Sequence, residues 1–227
     1  IIDLVPGLIG LKGKQSFFAD IAGIRADVKV DLYIESTHAC SERGELQLTN
    51  YGISGIPVFQ LSRVATRALS EQKKVYATLN FVPFWEKEQC LTYFKERFKK
   101  ADEKHIGEAL IGFFPEKLIP VLLEESHIKA AKYANRLQTE ELERFIDTVQ
   151  GLRVDITDWN TFDTAQVTAG GVDTDEIDAE TMESKLCPGL YFAGEMVDID
   201  GICGGYNLQW AWSSGAVAGI HVARELS

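Results

Sequence analysis

The chain has few cysteines, no paired cysteine motif and no long apolar run. Its four cysteines form no C-x-x-C pattern, nothing like a signal peptide precedes them, and they stand far apart at Cys40, Cys90, Cys187 and Cys203. This usage disfavours a disulfide framework or a cysteine zinc site and favours a reducing, cytoplasmic location. The longest apolar stretch, residues 211–223, contains two serines and a histidine and is too short to span a bilayer. The sequence therefore predicts a soluble protein that does not bind a membrane.

Basic residues are scarce relative to acidic ones. The 34 acidic and 23 basic side chains give a formal net charge of −11. Nucleic acids would be repelled by this charge, so they are not expected partners. Residues 95–104 are locally basic but are interrupted by acidic residues, and we interpret them as the solvated face of a helix. The apolar content of 45% is enough for one or two globular domains.

Residues 15–81 have the pattern of an antiparallel sheet crossed by one helix. Apolar and polar residues alternate over residues 24–35, which predicts a half-buried strand. A further extended run at residues 17–21 would join it through a hairpin or bulge at Gly23. Other strands are predicted at residues 44–48 and 74–81, and a helix is predicted over residues 58–69.

The middle of the chain changes to the period of helices. Pro83 ends the strand pattern, and residues 85–149 carry apolar side chains at helical spacing. The predicted helices begin at residue 86 and then cover residues 105–111, 115–123 and 139–149. We expect these helices to form a small helical part of the same domain as the sheet.

From residue 151 onward, strand patterns return and a long helix follows. The predicted strands cover residues 151–157, 165–167, 172–177 and 190–193, and the helix covers residues 205–226. From these patterns we predict one domain over residues 1–161 and a second unit over residues 162–227. The predicted fold class is α/β.

Glycines and one carboxylate in the last quarter indicate half of a dinucleotide site. Gly194 and Glu195 directly follow the apolar run at residues 190–193, and α/β sheets bind ligands at the carboxyl ends of their strands. A carboxylate there accepts hydrogen bonds from sugar or ribityl hydroxyls. Gly204 and Gly205 let the backbone approach a flat ring just before the last helix begins. The candidate N–H donors at that helix start are those of Tyr206, Asn207 and Leu208.

Simpler interpretations of these features remain open. Glu195 can be a turn carboxylate, Gly204 and Gly205 an ordinary helix entry, and the pair Gly170 and Gly171 either a backbone approach to the ring or a β-bulge. Cys203, next to these glycines, either packs as a small residue or acts as a redox partner.

Metal ligands are not evident. Asp198 and Asp200 are two residues apart, as in some cation sites, but no third ligand is apparent and we interpret them as surface acids. The histidines are too scattered to form a zinc site. We therefore assign no metal, and no catalytic residue can be named.

Several segments of the sequence resemble one flavoprotein family. They are TAGGV from Thr168, EIDAETMESK from Glu176, GLYFAGEMVDIDG from Gly189 and GGYNLQWAWSSG from Gly204. Together they resemble the C-terminal FAD-binding segment of the YhiN/BaiN-like flavoproteins, often described as the aminoacetone-oxidase family. Another segment, GELQLTNYGISG at residues 44–55, resembles a motif in the domain that is inserted into that family's FAD-binding domain. There, Ser54 either caps the following helix or faces the substrate pocket.

The resemblance implies an inserted domain of mixed β-sheet and helices, followed by the C-terminal strand-helix part of a Rossmann-like FAD-binding domain. It implies FAD as the cofactor, with Gly170, Gly171, Gly194, Glu195 and residues 204–208 near it. Family members begin with a G-x-G-x-x-G turn that holds the FAD pyrophosphate, and that pattern does not occur in these residues. We therefore expect the chain to be a fragment that lacks this turn and is inactive by itself.

The implied activity is that of a FAD-dependent oxidoreductase. Hydride would pass between flavin and a small-molecule substrate, with NAD(P)H as a possible donor. The alternative is that the inserted domain is a non-catalytic interaction or dimerisation module of a flavoprotein. The sequence identifies neither the substrate nor the oligomeric state.

Overall fold

The computed structural model describes residues 1–225 of the chain. The strands are β1 (Ile2–Gly7), β2 (Leu11–Gly13), β3 (Arg25–Ile34), β4 (Thr37–Leu48), β5 (Gly52–Gly55), β6 (Val75–Asn80), β7 (Leu152–Trp159) and β8 (Val167–Gly171). The helices are α1 (Phe18–Ile21), α2 (Ile56–Ser70), α3 (Lys87–Lys100), α4 (Ile106–Leu110), α5 (Leu118–Glu125), α6 (Thr139–Gly151) and α7 (Tyr206–Glu225). This mixture of sheet and helix confirms the predicted α/β class. The last residue of the predicted helix, Leu226, and the end of the predicted second unit, Ser227, lie outside the described residues.

Six strands form a closed antiparallel barrel in the order β2-β5-β4-β3-β6-β7. On β3, alternation places Val28, Val30 and Leu32 inside the barrel, where they are fully buried. The strand predicted over residues 24–35 and the antiparallel pairing are therefore confirmed. The predicted sheet limits of 15–81 were too narrow, because β2 and β7 lie outside them and close the barrel. Closure removes the free sheet edges that an open sheet would expose.

Helix α2 crosses from the barrel towards the ribbon formed by β1 and β8. It starts directly after Gly55, and Pro57 occupies its first turn, where a missing backbone N–H costs nothing. Its apolar side packs on β4 and also contacts β1. Ser54 is buried within β5 and does not cap the helix, so that interpretation was wrong.

Helices α3 to α6 lie between β6 and β7 in the chain and form the predicted helical part. Their shared core is aromatic: Phe94 contacts Phe98, Phe114 and Phe145 with ring centroids 5.4–6.1 Å apart. Such pairs add stability beyond the area that they bury. The four predicted helices are confirmed with small shifts of their ends.

The apolar run at residues 17–21 is not a strand. Phe18 and Ile21 are both buried and stand three residues apart, a spacing that suits the single helical turn of α1. Alternation over five residues was too short to distinguish the two periods.

The C-terminal part contains less regular structure than predicted. A 3-10 turn at Thr174–Glu176 interrupts the strand predicted over residues 172–177, and the side chain of Asp173 accepts a hydrogen bond from the Asp175 N–H at its start. Within residues 190–193, the sheet pairing is limited to one bridge between Tyr191 and Glu183, so this run is not a regular strand either. The predicted strand at residues 165–167 begins later, as β8.

The first and last parts of the chain meet in a two-stranded antiparallel ribbon of β1 and β8. The ribbon joins a strand from before the predicted domain boundary, at residues 161 and 162, to a strand from after it. The position of that boundary stays a prediction. Within the described 225 residues, no helix is both long and apolar enough to cross a membrane.

Candidate functional site

The turn that contains Gly194 is hydrogen-bonded to the middle of α7. The backbone N–H of Gly194 donates to Ser214 Oγ at 2.9 Å, and the indole Nε1–H of Trp210 donates to the Gly194 carbonyl at 3.0 Å. Gly194 adopts a φ of +67°, a conformation that favours glycine. These contacts hold the Gly194 turn against the last helix.

The carboxylate of Glu195 joins the same turn to β8. Its Oε1 accepts a hydrogen bond from the backbone N–H of Thr168 at 2.5 Å, while the residue remains exposed. A carboxylate has acceptor sites for about four hydrogen bonds, so this one leaves room for a hydroxyl donor. Glu195 is therefore both a turn carboxylate, as the simpler interpretation proposed, and an accessible acceptor.

Packing accounts for the glycines of β8. A Cβ added at Gly170 would lie 2.3 Å from the Asp3 carbonyl oxygen, and one at Gly171 would lie 2.4 Å from the Met196 carbonyl oxygen. Both residues also have positive φ values, of +104° and +138°. Close backbone contacts thus require glycine at both positions, and the β1–β8 register shifts opposite them, between Ile2 and Val5. Contact of Gly170 and Gly171 with a cofactor stays a prediction.

The glycines that precede α7 have a different environment. Gly204 and Gly205 adopt φ values of +120° and +91°, and a Cβ added at Gly205 would meet no heavy atom of the described chain within 4 Å. The space in front of Gly205 is therefore open, as a cradle for a flat ligand requires. The first intrahelical bond of α7 runs from Gln209 N–H to the Gly205 carbonyl. The preceding N–H groups have no acceptor within the helix and carry the positive end of its dipole.

The side chains at the start of α7 have separate roles. The Asn207 amide makes two hydrogen bonds with the backbone of Gly201, at 2.7 and 3.0 Å, and thereby closes the loop before the helix. Tyr206 and Leu208 are exposed. A cofactor contact at Asn207 would therefore come from its backbone N–H rather than from its amide.

Three residues of α2 that the sequence analysis missed hold this loop from the other side. Arg63 pairs with Asp200 at 2.8 Å, Arg67 pairs with Asp198 at 3.1 Å, and Gln60 accepts the Cys203 N–H at 2.9 Å. Asp198 and Asp200, interpreted above as surface acids, are thus each paired with an arginine of α2. The sequence does place two arginines on one face of α2 and two acids in the later loop. Because more than 130 residues separate the partners, the sequence alone does not indicate that they pair.

Among the described residues, the thiol next to the candidate glycines is not activated, and no metal cluster is present. Burial raises the pKa of the Cys203 thiol, which favours its neutral form. In residues 1–225, no group of three or more His, Cys, Asp or Glu side chains is arranged to hold a metal ion.

Much of α7 and its surroundings is apolar and exposed. Burial within the described part of the helix is confined to Ser214 and Ala218. The large exposed apolar residues between residues 190 and 224 are Leu190, Met196, Ile199, Ile202, Tyr206, Leu208, Trp212 and Ile220. Leu208 and Trp212 are four residues apart and therefore share one face of α7. Large exposed apolar patches mark interfaces or binding sites.

The sequence matches the model of a known protein family. The chain belongs to the family described as the HI0933-like protein Rossmann domain, whose model matches residues 37–221. The predicted membership among YhiN/BaiN-like FAD-binding flavoproteins is confirmed.

Curated relatives in three bacteria are similar to nearly the whole chain. A 3-dehydro-bile acid delta(4,6)-reductase of Clostridium scindens is 44% identical over 95% of this chain and 53% of its own length. A ribosomal RNA dihydrouridine synthase of Escherichia coli is 32% identical over 84% of this chain and 45% of its own length. A ribosomal RNA dihydrouridine synthase of Haemophilus influenzae is 30% identical over 93% of this chain and 49% of its own length. The chain thus spans about half the length of the curated relatives that it matches.

Proposed function

We propose that the chain is part of a FAD-dependent oxidoreductase and supplies the C-terminal half of the FAD site. The observation that carries this proposal is the open space at Gly205 in front of the first N–H groups of α7. Family membership and a relative named as a reductase support it. FAD, when bound, supplies an acceptor and donor of hydride for a small-molecule substrate, with NAD(P)H as the candidate reductant.

The residues present fit a flavin in their chemistry. The N–H groups of Tyr206, Asn207 and Leu208 would donate to electron-rich atoms of the ring, and the helix dipole would stabilise negative charge there. The exposed carboxylate of Glu195 would accept hydrogen bonds from hydroxyl groups of the cofactor. Gly194 keeps this carboxylate in place through its contacts with Ser214 and Trp210.

The exposed apolar surface around α7 supports a FAD domain that another segment completes. A Rossmann-like domain packs its helices against a parallel sheet, which would cover residues such as Trp212 and Ile220. We propose that the full-length protein supplies this cover together with the pyrophosphate-binding turn. On this proposal the described chain alone holds FAD weakly and is inactive.

A flavin-retention experiment tests the cofactor assignment. The full-length protein and the present chain are incubated with FAD and desalted, and the visible flavin absorbance is recorded. We expect retained flavin in the full-length protein alone. The full-length variant Gly205→Ala should lose it, because a side chain would enter the open space and disfavour the φ of +91°.

Gly189→Ala is the matched control for this variant. Gly189 also has a positive φ, of +80°, and a Cβ there would also meet no atom within 4 Å, but it lies outside the candidate site. Flavin retention by this control and loss in Gly205→Ala would support the assignment. If the full-length wild type retained no flavin, the interaction or dimerisation module would become the better proposal, and the oligomeric state would test it.

The names of the relatives supply two substrate classes to test. The reductase acts by its name on a 3-dehydro-bile acid, and its 44% identity makes a small molecule of this kind the first candidate. We therefore propose a small-molecule substrate. The scarcity and spacing of the cysteines support a reducing, cytoplasmic location. Oxidation of NAD(P)H that depends on such a compound would support this candidate.

Ribosomal RNA is the second candidate, because two relatives are named as dihydrouridine synthases. A groove of about 420 Å³ on the helical part carries Arg97, Lys100 and Lys104, although Glu96 and Glu108 line it as well. The net charge of −11 opposes RNA binding. Conversion of uridine in ribosomal RNA by the full-length protein, detected by mass spectrometry, would overturn the small-molecule assignment.

A further inference from the structure

Helix α2 presents a row of three polar side chains to the loop that leads into the last helix. Gln60, Arg63 and Arg67 are three and four residues apart, so they share one face of the helix. We call these three residues the α2 clamp. Their partners are Cys203, Asp200 and Asp198, in that order along the helix.

Asp198 connects the clamp to β8 through a single oxygen atom. Its Oδ1 accepts from Arg67 Nη2 at 3.1 Å and from the backbone N–H of Gly170 at 2.9 Å. Helix α2, the loop and the glycine strand are thus joined at one carboxylate. Hydrogen bonds to a charged acceptor are the stronger kind, so this junction is well defined.

Asp200 depends on its arginine more than an exposed acid would. Its side chain is only 9% exposed, while Arg63 is 48% exposed and approaches from the helix. A carboxylate that is withdrawn from water and loses its partner is strongly destabilised in that position. Loss of Arg63 would therefore drive the loop to move Asp200 towards solvent.

We propose that the α2 clamp is a positioning device that sets the FAD affinity of the loop of residues 198–205. This inference rests on the proposed FAD site, because Gly204 and Gly205 end that loop. The clamp holds the loop in one conformation before the ligand arrives, which removes the entropic cost of ordering it upon binding. The barrel-containing part of the chain thereby acts on a cofactor site that it does not itself form.

Charge reversal in the full-length protein tests the clamp. In Arg63→Glu, repulsion from Asp200 should open the loop and weaken FAD binding about tenfold or more. Arg25→Glu is the matched control, since Arg25 pairs with Glu45 at 2.9 Å on the outside of the barrel, away from the loop. The double variant Arg63→Glu with Asp200→Arg restores opposite charges and should recover most of the affinity.

Three measurements are made on each protein: FAD affinity by flavin fluorescence titration, the flavin absorbance spectrum, and hydrogen exchange of residues 198–205. We expect Arg63→Glu alone to show weaker affinity, an altered spectrum and faster exchange. An Arg63→Glu protein with wild-type affinity would overturn the clamp and leave the FAD site standing, as would equal weakening in the Arg25→Glu control. A wild-type protein that binds no FAD would overturn the proposed function and the clamp with it.

Discussion

The hydroxyl of Ser214 accepts the buried backbone N–H of Gly194 at 2.9 Å and donates to the Trp210 carbonyl at 2.7 Å. Ser214 is 2% exposed, so water does not compete for these bonds. One hydroxyl therefore fixes the turn that presents Glu195 against the helix whose N-terminus forms the other side of the candidate site.

Replacing this hydroxyl should loosen the turn. In Ser214→Ala the N–H of Gly194 is left buried without an acceptor, which costs about 1–3 kcal/mol. Equilibrium unfolding in urea measures the loss. Ser213→Ala, on the exposed side of the same helix, should change the free energy of unfolding by less than about 0.5 kcal/mol. Equal values for the two variants would contradict the assigned role of Ser214.

Glu195 allows the charge of the carboxylate to be separated from its hydrogen bond. Glu195→Gln keeps an acceptor for the Thr168 N–H, whereas Glu195→Ala removes it. Because a charged acceptor binds a hydroxyl more strongly, we expect FAD affinity to fall in the order wild type, Gln, Ala. Thermal unfolding should change little, since the bond is exposed.

Glu183→Ala is the control for Glu195. Its Oε1 accepts the exposed backbone N–H of Gly189 at 2.7 Å, so it makes a bond of the same type outside the candidate site. FAD titration of the full-length variants should leave this control at wild-type affinity. Unchanged affinity in Glu195→Ala would remove that residue from the site.

Gly55 is required by contact as well as by conformation. Its φ is +100°, and an added Cβ would lie 2.5 Å from the Glu45 carbonyl oxygen on the neighbouring strand. Gly23 has a φ of +90° but open space around it. Gly23→Ala should cost about 1–2 kcal/mol for the left-handed conformation alone. Gly55→Ala should cost more, and equal losses in urea unfolding would show that β5 shifts freely.

Periodicity predicted β3, β6, β7, part of β4 and the helical part, because these segments carry one-sided patterns. It missed the short strands β2 and β5. The alternation that buries Val28, Val30 and Leu32 extends over most of β3. At residues 17–21 and 172–177 the pattern covered only five or six residues, and local effects decided the outcome. At residues 172–177, for example, the Asp173 side chain accepts a hydrogen bond from a backbone N–H at the start of a 3-10 turn.

The candidate site could be located from its glycines but not assembled from the sequence. Left-handed φ values at Gly194, Gly204 and Gly205 agree with what the glycine pattern indicated. The contacts that hold these glycines join residues far apart, as in the pair of Arg67 and Asp198. The pairing of β1 with β8 and the packing of β1 on α2 bring such pairs together, and no local pattern encodes this arrangement.

Asp31 gives the barrel a dependence on pH that can be measured. Burial raises the pKa of its carboxyl, but hydrogen bonds from Lys29 and Ser41 and the charges of Lys29 and His38 outweigh this and hold the pKa below its ordinary value of 3.8. A lowered folded-state pKa means that the stabilisation is complete above the unfolded pKa and disappears as the pH falls through the folded value. The variant Asp31→Asn lacks this titration.

Urea unfolding of the wild type and Asp31→Asn at a series of pH values tests this sign. Lys29 is 45% exposed, so solvent screens the pair and the expected difference near neutral pH is only about 1 kcal/mol or less. That difference should be present at about pH 5 and above and should shrink below about pH 4. A difference that stayed constant down to the lowest pH would mean that the Asp31 carboxylate contributes nothing through its ionisation, and that its value to the barrel lies in packing alone.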